Sequence, residues 1–224
     1  MAPLLALAAV LTALVVARRR RRSRMPARAV IVSPRRSTVI AQNGAVRSVQ
    51  KAELTVARAE LDPIWNPTNL ENLARTYWRF LSRVTLGLIR VVYGEDERAV
   101  VFLARPFTLL RFDPPEYVLD GDHGTVRWSI RDGLLVARQG SRCGFLSIDV
   151  RRDDADPSNG ASKVQIEMEV SNYYPAIAAG FSTPVYEATQ SSIHVLVTHA
   201  FLRSLAKLDL ATSKVGALAP PAES

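Results

Sequence analysis

The residues that could form a reactive set are two adjacent tyrosines and a histidine further along the chain. Tyr173 and Tyr174 end a predicted strand, and His194 lies in a predicted helix. If that helix faces the end of the strand, the three side chains form an acid/base set, because tyrosine and histidine can both transfer protons. The plainer interpretation is that they are ordinary core and surface residues. The sequence therefore assigns no catalytic residue and does not favour an enzyme.

The spacing of histidines and carboxylates predicts no metal site. His194 and His199 are separated by about 140° around a helix, whereas the two histidines of a zinc pair share one face. The segment 154–165 imitates the start of a calcium loop, but Asn159 stands where that loop needs glycine. The chain also lacks a G-x-S-x-G elbow, a P-loop and a dinucleotide fingerprint. We expect neither a metal nor another cofactor.

The clearest pattern in the chain is an N-terminal apolar run followed by arginines. Residues 2–17 are almost entirely apolar, and Arg18–Arg22 follow directly. As a helix the run is about 24 Å long, short of a hydrocarbon core of about 30 Å, but long arginine side chains can reach the headgroups. Because a dense cationic block resists translocation, residues 1–24 are predicted to be a single-pass anchor in the plasma membrane, with the remainder in the cytoplasm.

Two alternatives to this anchor remain open. A cleavable signal peptide carries its positive charge before the apolar core, whereas here the charge comes after it. A translation start at Met25 would remove the anchor and leave a soluble protein.

The positive charge of the chain is concentrated in its N-terminal part. Ten of the 29 Lys and Arg residues lie in residues 1–50, which contain no Asp or Glu. The remainder of the chain contains 19 basic residues and all 21 acidic residues, so it is not basic. Residues 25–51 mix Pro, Ser, Gly and Arg and are predicted to be a flexible basic tether, with 29–32 and 38–40 as pieces that could pair with a sheet edge. The natural partners are anionic lipid headgroups and not nucleic acid.

A long helix is predicted from Pro67 to Tyr93. Thr68 and Glu71 fit a capping box, and Gly94 offers a stop. Arginines recur along one side of this helix, either as a solvated face or as a surface that rests on an anionic leaflet. With the N-terminal cluster, the predicted membrane-surface residues are Arg18, Arg19, Arg20, Arg21, Arg22, Arg24, Arg75, Arg79 and Arg83.

Residues 52–210 are predicted to form a single α+β domain. A first strand is predicted in 52–61, and alternating apolar residues separated by short turns predict an antiparallel meander. A helix is predicted over 184–210, and 211–224 is predicted to be a disordered tail. The remaining predicted strands are 100–110, 116–119, 125–131, 134–138, 144–151 and 163–173.

The chain resembles the START-like, or helix-grip, superfamily of polyketide cyclases and lipid-transport proteins. The resemblance is carried by the order of elements and by segments such as GLLVARQGSRCGFLSIDVR and SSIHVLVTHAFLRSL. The resemblance implies an antiparallel sheet of about six or seven strands that wraps the C-terminal helix around an apolar cavity. A core filled by its own side chains is the alternative. The candidate ligand-binding residues are Trp128, Ile148, Met168, Tyr174, His194, Val197 and Phe201.

Three functions follow from this combination. The first is a membrane-tethered module on the cytoplasmic side that binds an apolar small molecule or a lipid. The second is a tethered structural or interaction domain without a ligand. The third is a cyclase-like or hydratase-like enzyme that uses the same cavity.

Overall fold

A computed structural model describes most of the chain from Ala27 to Leu210. The described residues are 27–32, 37–104, 106–154, 160–176, 192–208 and 210, without the side chains of 192–196. The predicted anchor, the first part of the predicted C-terminal helix and the predicted tail lie outside these ranges. Within them, no helix is long and apolar enough to span a bilayer.

The described residues form a ten-stranded antiparallel sheet. Its strand order is β1-β3-β10-β9-β8-β6-β5-β4, while β2 pairs with β3 and β7 pairs with β8. The predicted antiparallel α+β fold is thus confirmed, although the sheet has more strands than the six or seven expected. The strands are β1 Ala27–Ile31, β2 Thr38–Ile40, β3 Val46–Ala57, β4 Ile89–Tyr93, β5 Arg98–Phe102, β6 Thr108–Phe112, β7 Glu116–Asp120, β8 His123–Asp132, β9 Phe145–Asp153 and β10 Ala161–Tyr173.

Alternation of apolar and polar residues gives the sheet one buried face. On β10, Val164, Ile166 and Met168 are buried, and they alternate with exposed or half-buried polar residues. Successive side chains of a strand point to opposite faces, so this period of two places the apolar set on one side. β8 and β9 repeat the pattern, and the predicted meander from β7 to β10 is confirmed.

The prediction that residues 25–51 are a flexible tether is wrong for the part that the structure describes. β1 pairs with β3 along Ala27–Ile31, and β2 pairs with the start of β3 at Thr38–Ile40. β3 itself begins at Val46 and lies between these strands and β10. The expectation that pieces within 29–32 and 38–40 pair with a sheet edge is confirmed, but the sequence could not fix their register, because short β-branched pieces acquire one only when a partner strand is present.

The first long helix is shorter than predicted. A single turn, α1 (Arg58–Leu61), precedes α2 (Pro67–Val84). The side chain of Asn66 accepts a hydrogen bond from the backbone N–H of Asn69 and caps α2, so the predicted Thr68 capping box is wrong. The chain then turns over 85–88 and continues as β4, because Ile89–Tyr93 gains a hydrogen-bonding partner in β5.

Two further strand predictions change for similar reasons. The predicted strand 100–110 is a hairpin of β5 and β6, and the described residues between these two strands are exposed. The predicted strand 134–138 is a loop that makes one isolated bridge, from Val136 to Pro175, before a short 3-10 turn.

The C-terminal helix α3 (Ser192–Ser204) completes the core. Phe201 and Leu202 are fully buried, and the Phe201 ring lies 5.2 Å from that of Tyr77 on α2. α3 also contacts β1 and β3. The two long helices therefore cover the buried face of the sheet, which is the helix-grip arrangement that the resemblance implies.

Candidate ligand-binding cavity

An apolar cavity of about 390 Å³ lies between the helices and the buried face of the sheet. Its volume falls within the range of small-molecule sites, roughly 300–1,000 Å³. α2 contributes Tyr77, Trp78 and Leu81, and α3 contributes Val197. The lining residues from the strands and from the loop after β8 are Thr38, Val46, Ser48, Ile89, Val100, Leu109, Leu110, Phe112, Ile130, Leu135, Leu146, Val170 and Tyr173.

An irregularity in β6 and a glycine after β8 shape one wall of this cavity. Val100 pairs with Leu110 and Val101 pairs with Thr108, so Leu109 is the extra residue of a β-bulge. Both Leu109 and Leu110 therefore line the cavity. Gly133 passes so close to β6 that a Cβ atom there would lie 2.2 Å from the carbonyl oxygen of Leu109. This approach allows the following loop to place Leu135 in the wall.

Most of the predicted ligand-binding residues fill the core beside the cavity. Trp128, Ile148, Met168 and Phe201 are each at most 2% exposed. The rings of Trp128 and Trp78 are 5.3 Å apart, in edge contact, and only Trp78 lines the cavity. The burial of these four side chains supports the alternative that they are packing residues of a filled core. An inward-pointing apolar residue shows the same period in the sequence whether it meets a ligand or another side chain, so the sequence could not separate the two roles.

The remaining predicted residues are spread over different surroundings. Val197 lines the cavity, as expected. The hydroxyl of Tyr174 accepts a hydrogen bond from Asn43 at 3.1 Å, and the hydroxyl of Tyr173 donates one to the Leu135 carbonyl at 2.7 Å. The side chain of His194 lies outside the described residues. Neither tyrosine is assigned a catalytic role by this geometry.

A polar network that the sequence analysis missed lies at one end of the cavity. Gln50 is fully buried on β3. Its Nε2 donates to Ser37 Oγ at 2.6 Å and to Ser48 Oγ at 3.4 Å, and its Oε1 lies 2.7 Å from His199 Nε2. We call Ser37, Thr38, Ser48, Gln50 and His199 the Gln50 network. The sequence signal for this network is the presence of polar residues, Ser48 and Gln50, at alternate positions of an otherwise apolar strand. That signal can be recognised only when β3 is known to be a strand.

Burial shifts the pKa values of two groups at this end of the molecule. Desolvation raises the pKa of Tyr77 to about 12, so its phenol stays neutral. The pKa of His199 is lowered, first by burial and then by the nearby charge of Arg203. Both shifts favour the neutral forms beside the cavity.

The predicted membrane-surface arginines separate into different environments. Arg75 donates a hydrogen bond to the Tyr93 hydroxyl at 2.7 Å and stacks over that ring, so it is held within the protein. Arg79 is half-buried, whereas Arg83 is exposed. Arg90, which falls within the predicted helix 67–93 but is not among the predicted membrane-surface residues, lies on β4. Arg18–Arg22 and Arg24 lie outside the described residues.

Exposed apolar side chains gather next to the cavity. Leu86 is 92% exposed and Phe107 is 56% exposed. Ile89 lines the cavity and pairs with Phe102 of the rim. The backbone N–H of Leu134 donates to the carbonyl oxygen of Thr108, which is next to the cavity residue Leu109. These contacts bring the exposed residues to the end of the sheet that holds the cavity. We call the set the apolar rim: Leu86, Leu88, Phe102, Leu103, Phe107 and Leu134.

The described residues hold no cluster of three or more His, Cys, Asp or Glu side chains suited to a metal ion. Asp154, from the calcium-like segment, instead pairs with Arg152 at 2.8 Å and with Arg58 at 3.9 Å. The hydrogen bond from Arg152 is the main reason that the pKa of Asp154 is lowered. This carboxylate therefore links the end of β9 to the first residue of α1, Arg58.

No protein-family model and no curated protein matches the sequence. Human STARD10 is structurally similar, with 10% identity and a TM-score of 0.32 over 76% of this chain and 72% of that chain. Norcoclaurine synthase from Thalictrum flavum is 15% identical, with a TM-score of 0.35 over 77% and 96% of the two chains. Ara h 8.0201 is 13% identical, with a TM-score of 0.31 over 73% and 99%. All three TM-scores are below 0.5, so the helix-grip assignment depends on the arrangement of sheet and helices in this chain and not on these likenesses.

Proposed function

We propose that this protein binds one apolar or lipid-like molecule in the cavity between α2, α3 and the sheet, and that it does so at the surface of an anionic membrane. The observation that carries the binding function is the cavity of about 390 Å³. Among the described lining residues, the polar side-chain groups are two aliphatic hydroxyls, the hydroxyls of two tyrosines and the indole N–H of Trp78. Removing apolar surface from water stabilises a bound ligand by about 25 cal/mol per Å², so an apolar molecule is the natural occupant.

Binding is tested with the neutral dye Nile red and a variant that fills the cavity. Val170 lines the cavity, and Val170→Phe adds volume there. We expect this variant to bind the dye at least about tenfold more weakly while it keeps its thermal unfolding temperature within a few degrees. Val118→Phe is the matched control, because Val118 is exposed on β7 and does not line the cavity. Equal dye affinity in both variants would refute binding in this cavity.

The membrane part of the proposal is supported by the apolar rim. Leu86 and Leu103 have positive φ angles of 54° and 61°. This left-handed conformation costs roughly 1–2 kcal/mol for a residue with a Cβ atom, so the backbone holds two leucines outward at an energetic cost. Contiguous exposed apolar residues commonly mark surfaces that bind proteins or membranes.

The charge around the apolar rim favours a membrane over a protein partner. Residues 79–94 and 98–112, which include most of the rim, contain arginines but no Asp or Glu. Arg83 and Arg90 are exposed beside it. An apolar tip surrounded by cations suits a bilayer that carries anionic lipids, to which each basic residue adds about 1 kcal/mol. The predicted anchor in residues 1–24 would hold the domain close to such a surface.

Vesicle sedimentation tests this surface. A chain that begins at Met25 keeps all the described residues and removes the predicted anchor. We expect it to sediment with phosphatidylserine vesicles and much less with phosphatidylcholine alone. Leu86→Asp and Phe107→Asp should each lower the bound fraction, whereas Val118→Asp, an exposed apolar residue on β7, should leave it unchanged. Similar binding by all of these variants would count against the rim.

A further inference from the structure

Two hydroxyls form one hydrogen-bonding edge of the cavity. Thr38 on β2 and Ser48 on β3 both line it, and their oxygens lie 2.9 Å apart. Ser48 is only 4% exposed, so its hydroxyl has little contact with bulk water. A polar group in such a place is costly unless it has hydrogen-bonding partners.

The Gln50 network fixes the direction of the hydrogen bonds behind these hydroxyls. Gln50 Nε2 uses its two hydrogens toward Ser37 Oγ and Ser48 Oγ. Gln50 Oε1 can only accept, so His199 must carry its proton on Nε2 to form the contact at 2.7 Å. Ser48 Oγ is therefore an acceptor toward the network.

A count of hydroxyl hydrogens leaves one that is free. Thr38 and Ser48 carry one hydroxyl hydrogen each, and the hydrogen bond between their oxygens uses one of the two. Among the residues that the structure describes, the second hydrogen has no acceptor, whichever of the two hydroxyls donates to the other. The pair thus offers one donor at this edge of the cavity.

The same wall offers no positive charge. Among the described lining residues, Tyr77 and Tyr173 are the only ones with ionisable side chains. Burial keeps the Tyr77 phenol neutral, so it can donate a hydrogen bond but carries no charge, and Tyr173 already donates to the Leu135 carbonyl. A carboxylate in this cavity would be an unpaired charge in an apolar surrounding, which costs far more than one hydrogen bond returns.

We propose that the cavity takes an apolar molecule with one uncharged hydrogen-bond acceptor, such as a carbonyl, ether or hydroxyl oxygen, to which the Thr38–Ser48 pair donates. This inference rests on the proposed binding function and names the class of its ligand. The network through Gln50 and His199 positions the two hydroxyls and does not touch the ligand.

Brominated probes of equal chain length test this inference through Trp78, whose ring lines the cavity. The probes are a bromoalkane, the matching methyl ketone and the matching carboxylate, and the readout is quenching of tryptophan fluorescence in the full chain in phosphatidylcholine nanodiscs. We expect the ketone to bind about three- to tenfold more tightly than the bromoalkane, the value of one neutral hydrogen bond. The carboxylate should bind most weakly.

Hydroxyl variants identify the donor. In the double variant Thr38→Val, Ser48→Ala, the ketone should lose its advantage, while the affinity for the bromoalkane stays the same or rises. Thr38→Ser keeps a hydroxyl and should keep the preference for the ketone. Unchanged affinity for the bromoalkane shows that the cavity is still folded in these variants.

The possible failures are distinguishable. If the native chain binds the bromoalkane and the ketone equally, or the carboxylate best, this inference is overturned and apolar binding stands. If the ketone preference survives in the double variant, the donor is not the Thr38–Ser48 pair and the inference is overturned. If the native chain binds none of the probes, the proposed function fails together with the inference.

Discussion

At the scale of single residues, a side chain's position in the strand period does not tell whether it meets a ligand or the core. Trp128, Ile148 and Met168 point inward as predicted, and all three are closed into the core. Val170 and Leu146, on the same strands as Met168 and Ile148, line the cavity instead. The difference arises from which helix residues lie opposite each strand position, and the strand sequence does not contain that information.

Trp128 separates these two roles experimentally. Trp128→Ala should destabilise the protein by about 3–5 kcal/mol, because the substitution leaves a large void beside Trp78 in a closed core. Urea unfolding measures the loss. Leu135→Ala is the comparison, because Leu135 already borders the cavity and is half-buried. This substitution should lower the free energy of unfolding clearly less than Trp128→Ala does. Equal costs would contradict the assignment of Trp128 to the core.

His199 should make the stability of the fold depend on pH. Its pKa in the folded state lies below the usual 6.5, so the unfolded chain binds the proton more readily. The neutral His199 therefore contributes to the free energy of unfolding above pH 6.5, and this contribution is lost as the pH falls below 6.5. Thermal unfolding between pH 7.5 and pH 5 should show a steeper decline in the native chain than in His199→Gln.

Arg203 supplies the control for this titration. Its charge is the second cause of the lowered pKa, after burial. Arg203→Gln should therefore reduce the pH dependence in part, whereas His199→Gln removes the contribution of this group. A His199→Gln variant with the same slope as the native chain would show that other groups cause the decline.

At the scale of elements, the first three strands are the main revision of the sequence-based view. β3 shares a continuous antiparallel register with β10 from Ser48 to Ala57, and the register shifts before Val46 pairs with Tyr173. β1 and β2 cover its other edge. An uncovered β3 would expose unpaired N–H and C=O groups along 12 residues, whereas β1 and β2 have only 5 and 3 residues, and short edge strands are less prone to pair with another chain.

Shortening the chain tests the importance of these strands. A chain that begins at Met25 keeps β1 and β2, and a chain that begins at Asn43 lacks both. We expect the first chain to unfold cooperatively. The second chain should lose several kcal/mol of its free energy of unfolding or should aggregate, because β3 loses its hydrogen bonds to β1 and β2 on one edge and α3 loses its contacts with β1. Urea unfolding and light scattering measure this. Equal stability of the two chains would support the tether interpretation.

At the scale of the whole molecule, the cavity, the apolar rim and the predicted anchor suggest one working arrangement. The rim adjoins the cavity wall at Ile89, Leu109 and Leu135. A rim that rests on a bilayer would place the cavity next to the lipid from which an apolar molecule leaves. The anchor would confine the domain to that surface and raise its local concentration there.

Location is the property of the whole chain to measure first. We expect the full chain in the membrane fraction with its C-terminal domain in the cytoplasm, because the cluster Arg18–Arg22 resists translocation. A cytosol-only fluorescent protein fused after Ser224 should then be bright, and an export-dependent phosphatase at the same place inactive. A chain that begins at Met25 is the control for the anchor. An active phosphatase would refute the predicted orientation.

The sequence by itself determined the features that depend on local patterns. Periods of two placed β7, β8, β9 and β10, and periods of three to four placed α2 and α3 within longer predicted helices. Short polar turns gave the antiparallel connections. The order of these elements was enough for the START-like resemblance. The charge asymmetry of the first fifty residues is also a property of the sequence alone, and the membrane anchor remains a prediction that depends on it.

The tertiary structure decided the features that depend on partners distant in the chain. β1, β2 and β4 are strands because neighbouring strands satisfy their backbone groups, and their own residues do not specify a register. The Gln50 network brings together residues 37–50 and His199, which are about 150 positions apart. A cavity is volume that no side chain fills, so it exists only after α2, α3 and ten strands have packed.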